Sequence, residues 1–183
     1  MGLLMWMSHS CWPSMVWQTY DYYFEPTAAY FGIKKACEPL HIQWNPATDE
    51  VEVVNYSAGN RKNLTAKVQV LNMDATVAWE KETNIDSNED TTNKCIKLEF
   101  PESLSKVHFI KMWLYEDGKL VSDNFYHRSF EENNYQDLNT LPAVKLVSDV
   151  KTQKEADGNW SAVINVENTS KTPALMIRIN VVG

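Results

Sequence analysis

Carboxylates are the most numerous side chains in this sequence that could perform acid or base chemistry, 24 of 183 residues. Two carboxyl groups that face one bond can donate and accept a proton, but spacing along the chain does not identify such a pair. Asp21, Glu25 and Glu38 are the only acids among the first 38 residues. A carboxylate among tyrosines, as Asp21 is, usually makes structural hydrogen bonds, and Glu25 precedes a predicted helix whose dipole it complements. The residues alone therefore single out no catalytic acid.

His9 and Trp12 are the candidates for a binding site. His9 follows an apolar run at 3–7, and α/β barrels carry their functional residues on the loops that follow such strands. If the run is a barrel strand, His9 and Trp12 face a pocket. If it is not, they are an ordinary loop histidine and a core tryptophan, and the residues alone leave both interpretations open. The other three histidines, on predicted strands, are interpreted as structural.

The cysteines and the remaining acids form no metal-binding pattern. Cys11, Cys37 and Cys95 lie far apart without Cys-x-x-Cys spacing, so we expect three free thiols, buried or half-buried. The acidic stretch 86–90 lacks the ligand spacing of a calcium loop and predicts a solvated turn. No phosphate-binding or dinucleotide-binding glycine motif occurs. The sequence predicts neither a metal nor a cofactor.

Composition predicts a globular protein and excludes some partners. The chain is 44% apolar and 22% charged, which is typical of a packed domain. A net charge of -7 without any basic run leaves no electrostatic surface for a polyanion, so we expect no nucleic acid partner. The apolar residues 1–7 are too few for a membrane helix and lack the basic flank of an export signal, so we also expect no membrane partner.

The first 38 residues are aromatic and almost uncharged. Nine of the 21 aromatic side chains precede residue 32, and the first Lys or Arg is Lys34. The run at 3–7 predicts a strand buried in a parallel sheet, and 27–37 predicts a helix with Pro26 at its first position. Strand, loop and helix make one unit of an α/β architecture, which indicates a segment from the interior of a larger body.

From residue 39 the apolar period changes from about 3.6 to 2, with turn residues at roughly 8 to 12 residue intervals, as in a β-sandwich. The sequence Asp117-Gly118 predicts a hairpin turn. We expect an apolar core with Trp79 and Trp113 as its largest members. Seven strands are predicted, at 40–44, 51–56, 65–71, 77–85, 94–100, 108–115 and 120–129.

A polar linker at 131–136 is followed by three more alternating segments, at 143–150, 160–167 and 175–182. A three-stranded sheet with one uncovered apolar face is marginally stable. These segments therefore predict the first strands of a further, truncated sandwich.

Three blocks of the N-terminal part carry a family resemblance. They are Leu4-Met5-Trp6-Met7-Ser8-His9-Ser10-Cys11-Trp12-Pro13-Ser14, then Trp17-Gln18-Thr19-Tyr20-Asp21-Tyr22-Tyr23, then residues 30–43. They resemble glycoside hydrolase family 2, in its exo-β-D-glucosaminidase and β-mannosidase branch, where a W-x-x-N-x-x-W-P-S stretch ends the barrel. The later residues 51–55, 72–74 and 166–170 are similar to the immunoglobulin-like domains that follow that barrel.

The resemblance implies a mainly β fold in three parts. Residues 1–38 would be the last strand, loop and helix of a (β/α)8 barrel, 39–131 an immunoglobulin-like sandwich, and 132–183 a linker and the first strands of a second sandwich. The parent would be a retaining exo-β-glycosidase, periplasmic or extracellular, whose two catalytic glutamates lie on earlier barrel strands outside this chain. Its partners would be a carbohydrate substrate and the missing N-terminal barrel.

The resemblance also assigns the candidate site. Trp12 matches a family tryptophan that walls the subsite for the terminal sugar, and His9 stands where relatives often carry Asn, so the hydrogen-bonding group differs in shape and charge. The chain alone is then expected to be inactive. The alternative is a non-catalytic β-sandwich module that binds carbohydrate or a protein partner.

Overall fold

The computed structural model describes residues 4–14 and 18–179. It contains one α-helix and nine strands within those residues, and a short 3₁₀ helix, Gln136–Thr140. Two compact units are formed, one within 1–68, 81–99 and 111–125, the other within 69–80, 100–110 and 126–183. In chain order the elements are α1 (Ala28–Ala36), β1 (Leu40–Asn45), β2 (Glu50–Asn55), β3 (Arg61–Asn72), β4 (Val77–Ser87), β5 (Thr91–Lys97), β6 (Val107–Glu116), β7 (Lys119–Ser129), β8 (Leu146–Lys154) and β9 (Trp160–Asn168).

Strands β1 to β7 form two sheets, as the alternating sequence predicts. One has the order β1-β2-β5 and is antiparallel, and the other has the order β4-β3-β6-β7. Strand β3 shows the alternation most clearly. Its fully buried residues are Leu64, Ala66, Val68 and Val70, and the residues between them are only half-buried. Successive side chains of a strand point to opposite faces, so one face of β3 enters the core.

The core contains neither of the tryptophans expected there. Trp79 and Trp113 are both only partly buried, and the largest fully buried side chain is Phe109. The prediction for Trp113 is wrong because side chains alternate along a strand. Met112 and Leu114 are buried on β6, so Trp113 between them faces outward. There the ammonium of Lys111 lies 4.9 Å from the Trp113 ring centroid.

Side chains of β7 bond to the backbone of β1. The backbone N–H of Ile42 donates to Ser122 Oγ at 3.2 Å, and Asn124 Nδ2 donates to the Ile42 carbonyl at 3.1 Å. Strand β1 lies at one end of its sheet, where backbone groups lack a strand partner. The two side chains of β7 satisfy these groups in place of a further strand.

Strands β8 and β9 form an amphipathic hairpin that is exposed on both faces. In the register Val150 pairs with Ile164 and Lys154 with Trp160, so these positions share one face. That face carries most of the hairpin's large apolar side chains, and Val150 and Trp160 on it are 55% and 70% exposed. The third strand predicted here is not formed at 175–179, and the rest of it lies outside the described residues.

The N-terminal segment, residues 1–38, contains the predicted helix, but its described residues do not form the predicted strand. Helix α1 has Thr27 as its N-cap and Cys37 as its C-cap; Pro26 therefore lies before the cap and not at the first helical position. Residues 4–7 form no strand, and residue 3 lies outside the described residues. One isolated parallel bridge joins His9 to Tyr20. A parallel strand needs neighbours along its length, and the described part of this chain supplies a single parallel bridge there.

Candidate functional site

His9 is held by the turn that follows Tyr20. Its ring stacks on Phe24 with a centroid distance of 4.1 Å and an interplanar angle of 16°. Its Nε2 lies 3.3 Å from the carbonyl oxygen of Tyr22. The backbone nearby is fixed as well, since Tyr20 N–H donates to the carbonyl of Ser8 at 2.9 Å. The His9 ring is therefore positioned by two contacts from residues 13 and 15 places further along the chain.

Asp21 organises that turn. Its Oδ1 accepts the backbone N–H of Tyr23 at 2.8 Å and of Glu25 at 2.9 Å. The backbone N–H of Asp21 donates to Glu25 O at 3.0 Å, and Phe24 sits in the left-handed region at φ 62°. A side chain that bonds the backbone two residues on stabilises such a turn. The interpretation of Asp21 as a structural carboxylate is confirmed.

Trp12 is one of several large apolar side chains that are exposed in the N-terminal segment. It is 67% exposed, and the ring that stacks on His9 is Phe24, not Trp12. Within the described residues, Leu4 and Trp6 are exposed to 98% and 82%, and Tyr23 to 70%. Large apolar surfaces of this kind mark interaction sites. The interpretation of Trp12 as a core residue does not hold for the described chain.

A polar cluster joins the end of helix α1 to β1 and β7, and sequence reasoning missed it. Lys35 Nζ contacts Glu38 Oε1 at 2.7 Å and Asp123 Oδ1 at 2.5 Å. Glu38 Oε2 accepts a hydrogen bond from Ser122 at 2.7 Å and lies 3.4 Å from His41 Nδ1. Burial alone would raise the pKa of Glu38, but the bonds from Lys35, Ser122 and His41 outweigh it and hold that pKa below its ordinary value. Glu38 is thus a connecting group: Lys35 and His41 are its neighbours in sequence, whereas Ser122 is 84 residues away.

A second cluster surrounds the fully buried His108. Its Nδ1 lies 3.1 Å from the carbonyl of Ser105 and its Nε2 3.2 Å from Arg128 Nη1. The Arg128 guanidinium also lies over the rings of Phe100 and Phe130, at 4.3 and 5.2 Å. Burial and the neighbouring cation lower the pKa of His108. This histidine is structural, as predicted, because both ring nitrogens have protein partners.

The thiols differ from expectation. All three are free, but Cys11 and Cys37 are exposed and only Cys95 is half-buried. Burial raises the pKa of Cys95 to about 12, and its Sγ lies 3.2 Å from the Val51 carbonyl. Among the described residues no group of three or more His, Cys, Asp or Glu side chains could hold a metal ion.

The acidic stretch 86–90 is used in structure. Asp86 accepts a hydrogen bond from Lys62 Nζ and another from the backbone N–H of Asn63, both at 2.9 Å. It thus holds the start of β3.

In the described part of the chain, no helix is long and apolar enough to cross a membrane.

Two family models match most of the sandwich and the hairpin. The one described as Mannosidase Ig/CBM-like domain matches residues 49–129, and the one described as Exo-beta-D-glucosaminidase Ig-fold domain matches residues 124–183. An exo-β-D-glucosaminidase from Streptomyces avermitilis is 31% identical over 99% of this chain and 23% of its own length. One from Hypocrea jecorina is 26% identical over the same shares.

A solved structure agrees. The crystal structure of the exo-chitosanase CsxA from Amycolatopsis orientalis matches with a TM-score of 0.77 at 28% identity, over 90% of this chain and 22% of that one. The two sheets and the hairpin are thus immunoglobulin-like elements of the kind found in glycosidases. The chain belongs to the exo-β-D-glucosaminidase and β-mannosidase branch of glycoside hydrolase family 2, as the resemblance predicted. It spans less than a quarter of the length of these relatives.

Proposed function

We propose that these residues are part of a retaining exo-β-glycosidase that removes terminal β-linked sugars, and that its two catalytic glutamates lie outside this chain. Residues 1–38 would end the (β/α)8 barrel, 39–131 would form the first immunoglobulin-like sandwich, and 132–183 would begin another. In a retaining enzyme one glutamate attacks the anomeric carbon while the other protonates the leaving oxygen, and water then releases the sugar. This chain supplies neither glutamate and is inactive alone.

The observation that carries the proposal is the extent of the match. Relatives named exo-β-D-glucosaminidase align with 98–99% of this chain, so the similarity is not confined to the sandwich. It includes the N-terminal segment, whose apolar side chains are exposed in the described residues. A barrel would provide the apolar cover that this surface lacks.

Trp12 and His9 are proposed to line the subsite for the terminal sugar. An indole ring offers an apolar face to the C–H face of a pyranose. An imidazole can exchange hydrogen bonds with a sugar hydroxyl or amino group. Trp12 is 67% exposed, so its ring is accessible to such a ligand.

The proposal is tested by measuring the kinetics of the full-length protein that includes these residues. Trp12→Ala is expected to lower kcat/KM for a p-nitrophenyl β-glycoside by about a hundredfold, as expected when a sugar loses the wall that positions it. Its thermal unfolding should stay unchanged. Trp160→Ala is the matched control, because Trp160 is similarly exposed, at 70%, but lies on the hairpin.

Two results would contradict the proposal. One is sugar release by the 183-residue chain alone, and the other is wild-type kinetics for Trp12→Ala. Glycan binding by residues 39–131 alone, with no hydrolysis by the complete protein, would favour the non-catalytic module instead.

A further inference from the structure

We propose that Asp21 is a positioning residue for His9: it folds the 21–25 turn so that the imidazole is fixed as the Nε2–H tautomer and presents Nδ1 as a hydrogen-bond acceptor. The link to sugar binding rests on the proposed function. The fixed tautomer itself rests only on contacts within this chain.

The tautomer follows from the partner of the ring. A backbone carbonyl can only accept a hydrogen bond, so the 3.3 Å contact between His9 Nε2 and Tyr22 O requires the proton to be on Nε2. In the neutral ring Nδ1 then carries a lone pair. His9 therefore offers an acceptor to a ligand, one that suits an O–H or N–H donor of a sugar.

The position of the ring follows from Phe24. The two rings are almost parallel at 4.1 Å, which fixes the imidazole plane. Phe24 can reach this place only because its backbone adopts φ 62°, a region that bulky residues avoid. The turn must therefore be held by another group.

Asp21 is that group. Its Oδ1 accepts the N–H groups of Tyr23 and Glu25, on both sides of Phe24, at 2.8 and 2.9 Å. The Tyr22 carbonyl that bonds His9 lies in the same turn. One carboxylate oxygen thus sets both contacts of His9, and Asn could replace Asp because its side chain carries an equivalent oxygen.

Imidazole nitrogen NMR of the 183-residue chain at about pH 8 tests the tautomer directly. The structure provides internal references with the opposite tautomer. His41 Nδ1 faces the Glu38 carboxylate, and His108 Nδ1 faces backbone carbonyls; both are therefore protonated on Nδ1. The His9 signals are assigned by their loss in His9→Gln.

Four variants distinguish the positioning of His9 by Asp21 from a general effect on folding. Wild type and Asp21→Asn should show His9 with its proton on Nε2, whereas Asp21→Ala should show an average of the two tautomers. Phe24→Gly should keep the turn, because glycine accepts the positive φ. It removes the stacked ring that holds Nε2 against the Tyr22 carbonyl, so His9 should again show an average of the two tautomers. Asp157→Ala is the control, since Asp157 Oδ1 caps a similar exposed turn by accepting the Asn159 N–H at 3.0 Å.

An unchanged His9 signal in both Asp21→Ala and Phe24→Gly would overturn the positioning role. Kinetics of the complete protein test the link to catalysis separately. There Asp21→Ala should lower kcat/KM by about tenfold or more, and Asp21→Asn should restore it. If the tautomer is lost while kcat/KM is unchanged, the role of His9 in the proposed function is wrong, and the positioning of His9 by Asp21 stands.

Discussion

Two buried histidines couple the stability of this chain to pH. His41 is 4% exposed and His108 is fully buried. Burial lowers the pKa of both below the ordinary value of 6.5, and in His41 the contact with Glu38 only partly opposes it. The unfolded chain therefore binds protons at a higher pH than the folded chain does. The contribution of these two histidines to stability is present above their ordinary pKa of 6.5 and is lost as the pH falls below it.

Urea denaturation at several pH values tests this coupling. Each histidine should contribute a slope of up to about 1.4 kcal/mol per pH unit below pH 6.5. His41→Gln and His108→Gln should each flatten the dependence of the free energy of unfolding on pH. Val53→Ala is the control: it opens space in the core, where Val53 is fully buried, and should lower stability equally at every pH. An undiminished slope in both glutamine variants would contradict the assignment.

At the scale of the element, the edge of β1 depends on two side chains of β7. Ser122 Oγ accepts the Ile42 N–H and donates to Glu38, so Ser122→Ala would leave a buried N–H without its acceptor. We expect a loss of about 1–3 kcal/mol in the free energy of unfolding. Hydrogen exchange at the Ile42 amide should also accelerate.

Ser161→Ala provides the matched control for that prediction. Ser161 is exposed on β9, where its Oγ bonds to Glu155 and Gln153, so its removal should change stability by less than about 0.5 kcal/mol. Equal losses for the two serine variants would show that the β1 edge does not depend on Ser122.

The sequence predicted the elements better than their surroundings. Alternation in β3 located a buried face, because the period of a strand depends only on local geometry. The strand predicted at 3–7 is not formed at the described residues 4–7, since a run of apolar residues also fits an exposed coil. Which face of β6 enters the core depends on the neighbouring strands, and that face carries Met112 and Leu114, not Trp113.

The candidate site was predicted only in part. His9 and Trp12 were identified by their place in a motif, whereas Phe24 was not, because its stacking on His9 requires a backbone angle that no local pattern indicates. Glu38 was set aside as a catalytic acid, but the contacts that join Glu38 and Lys35 to β7 could not be predicted, since Ser122 and Asp123 are more than 80 residues away from them.

At the scale of the whole molecule, exposed apolar surface should cause association of the 183-residue chain. One hairpin face carries Val150 and Trp160, at 55% and 70% exposure, and such surfaces drive proteins together. Light scattering is expected to show a mass that rises with concentration. Val150→Asp should reduce it, because the charge lies on the apolar face.

The opposite face of the hairpin supplies the control. Val163 is 59% exposed and pairs with Lys151 on the polar face, so Val163→Asp should leave the association unchanged. A concentration-independent monomer mass for the wild-type chain would contradict this prediction.

The unequal accessibility of the three thiols makes the chain suitable for selective labelling. Cys11 and Cys37 are exposed, and both belong to the N-terminal segment. Cys95 keeps its proton, with a pKa of about 12, and only the thiolate attacks an alkylating dye. A maleimide pair would therefore mark residues 11 and 37 and spare the sandwich, so that energy transfer between the dyes reports the distance between these two residues directly.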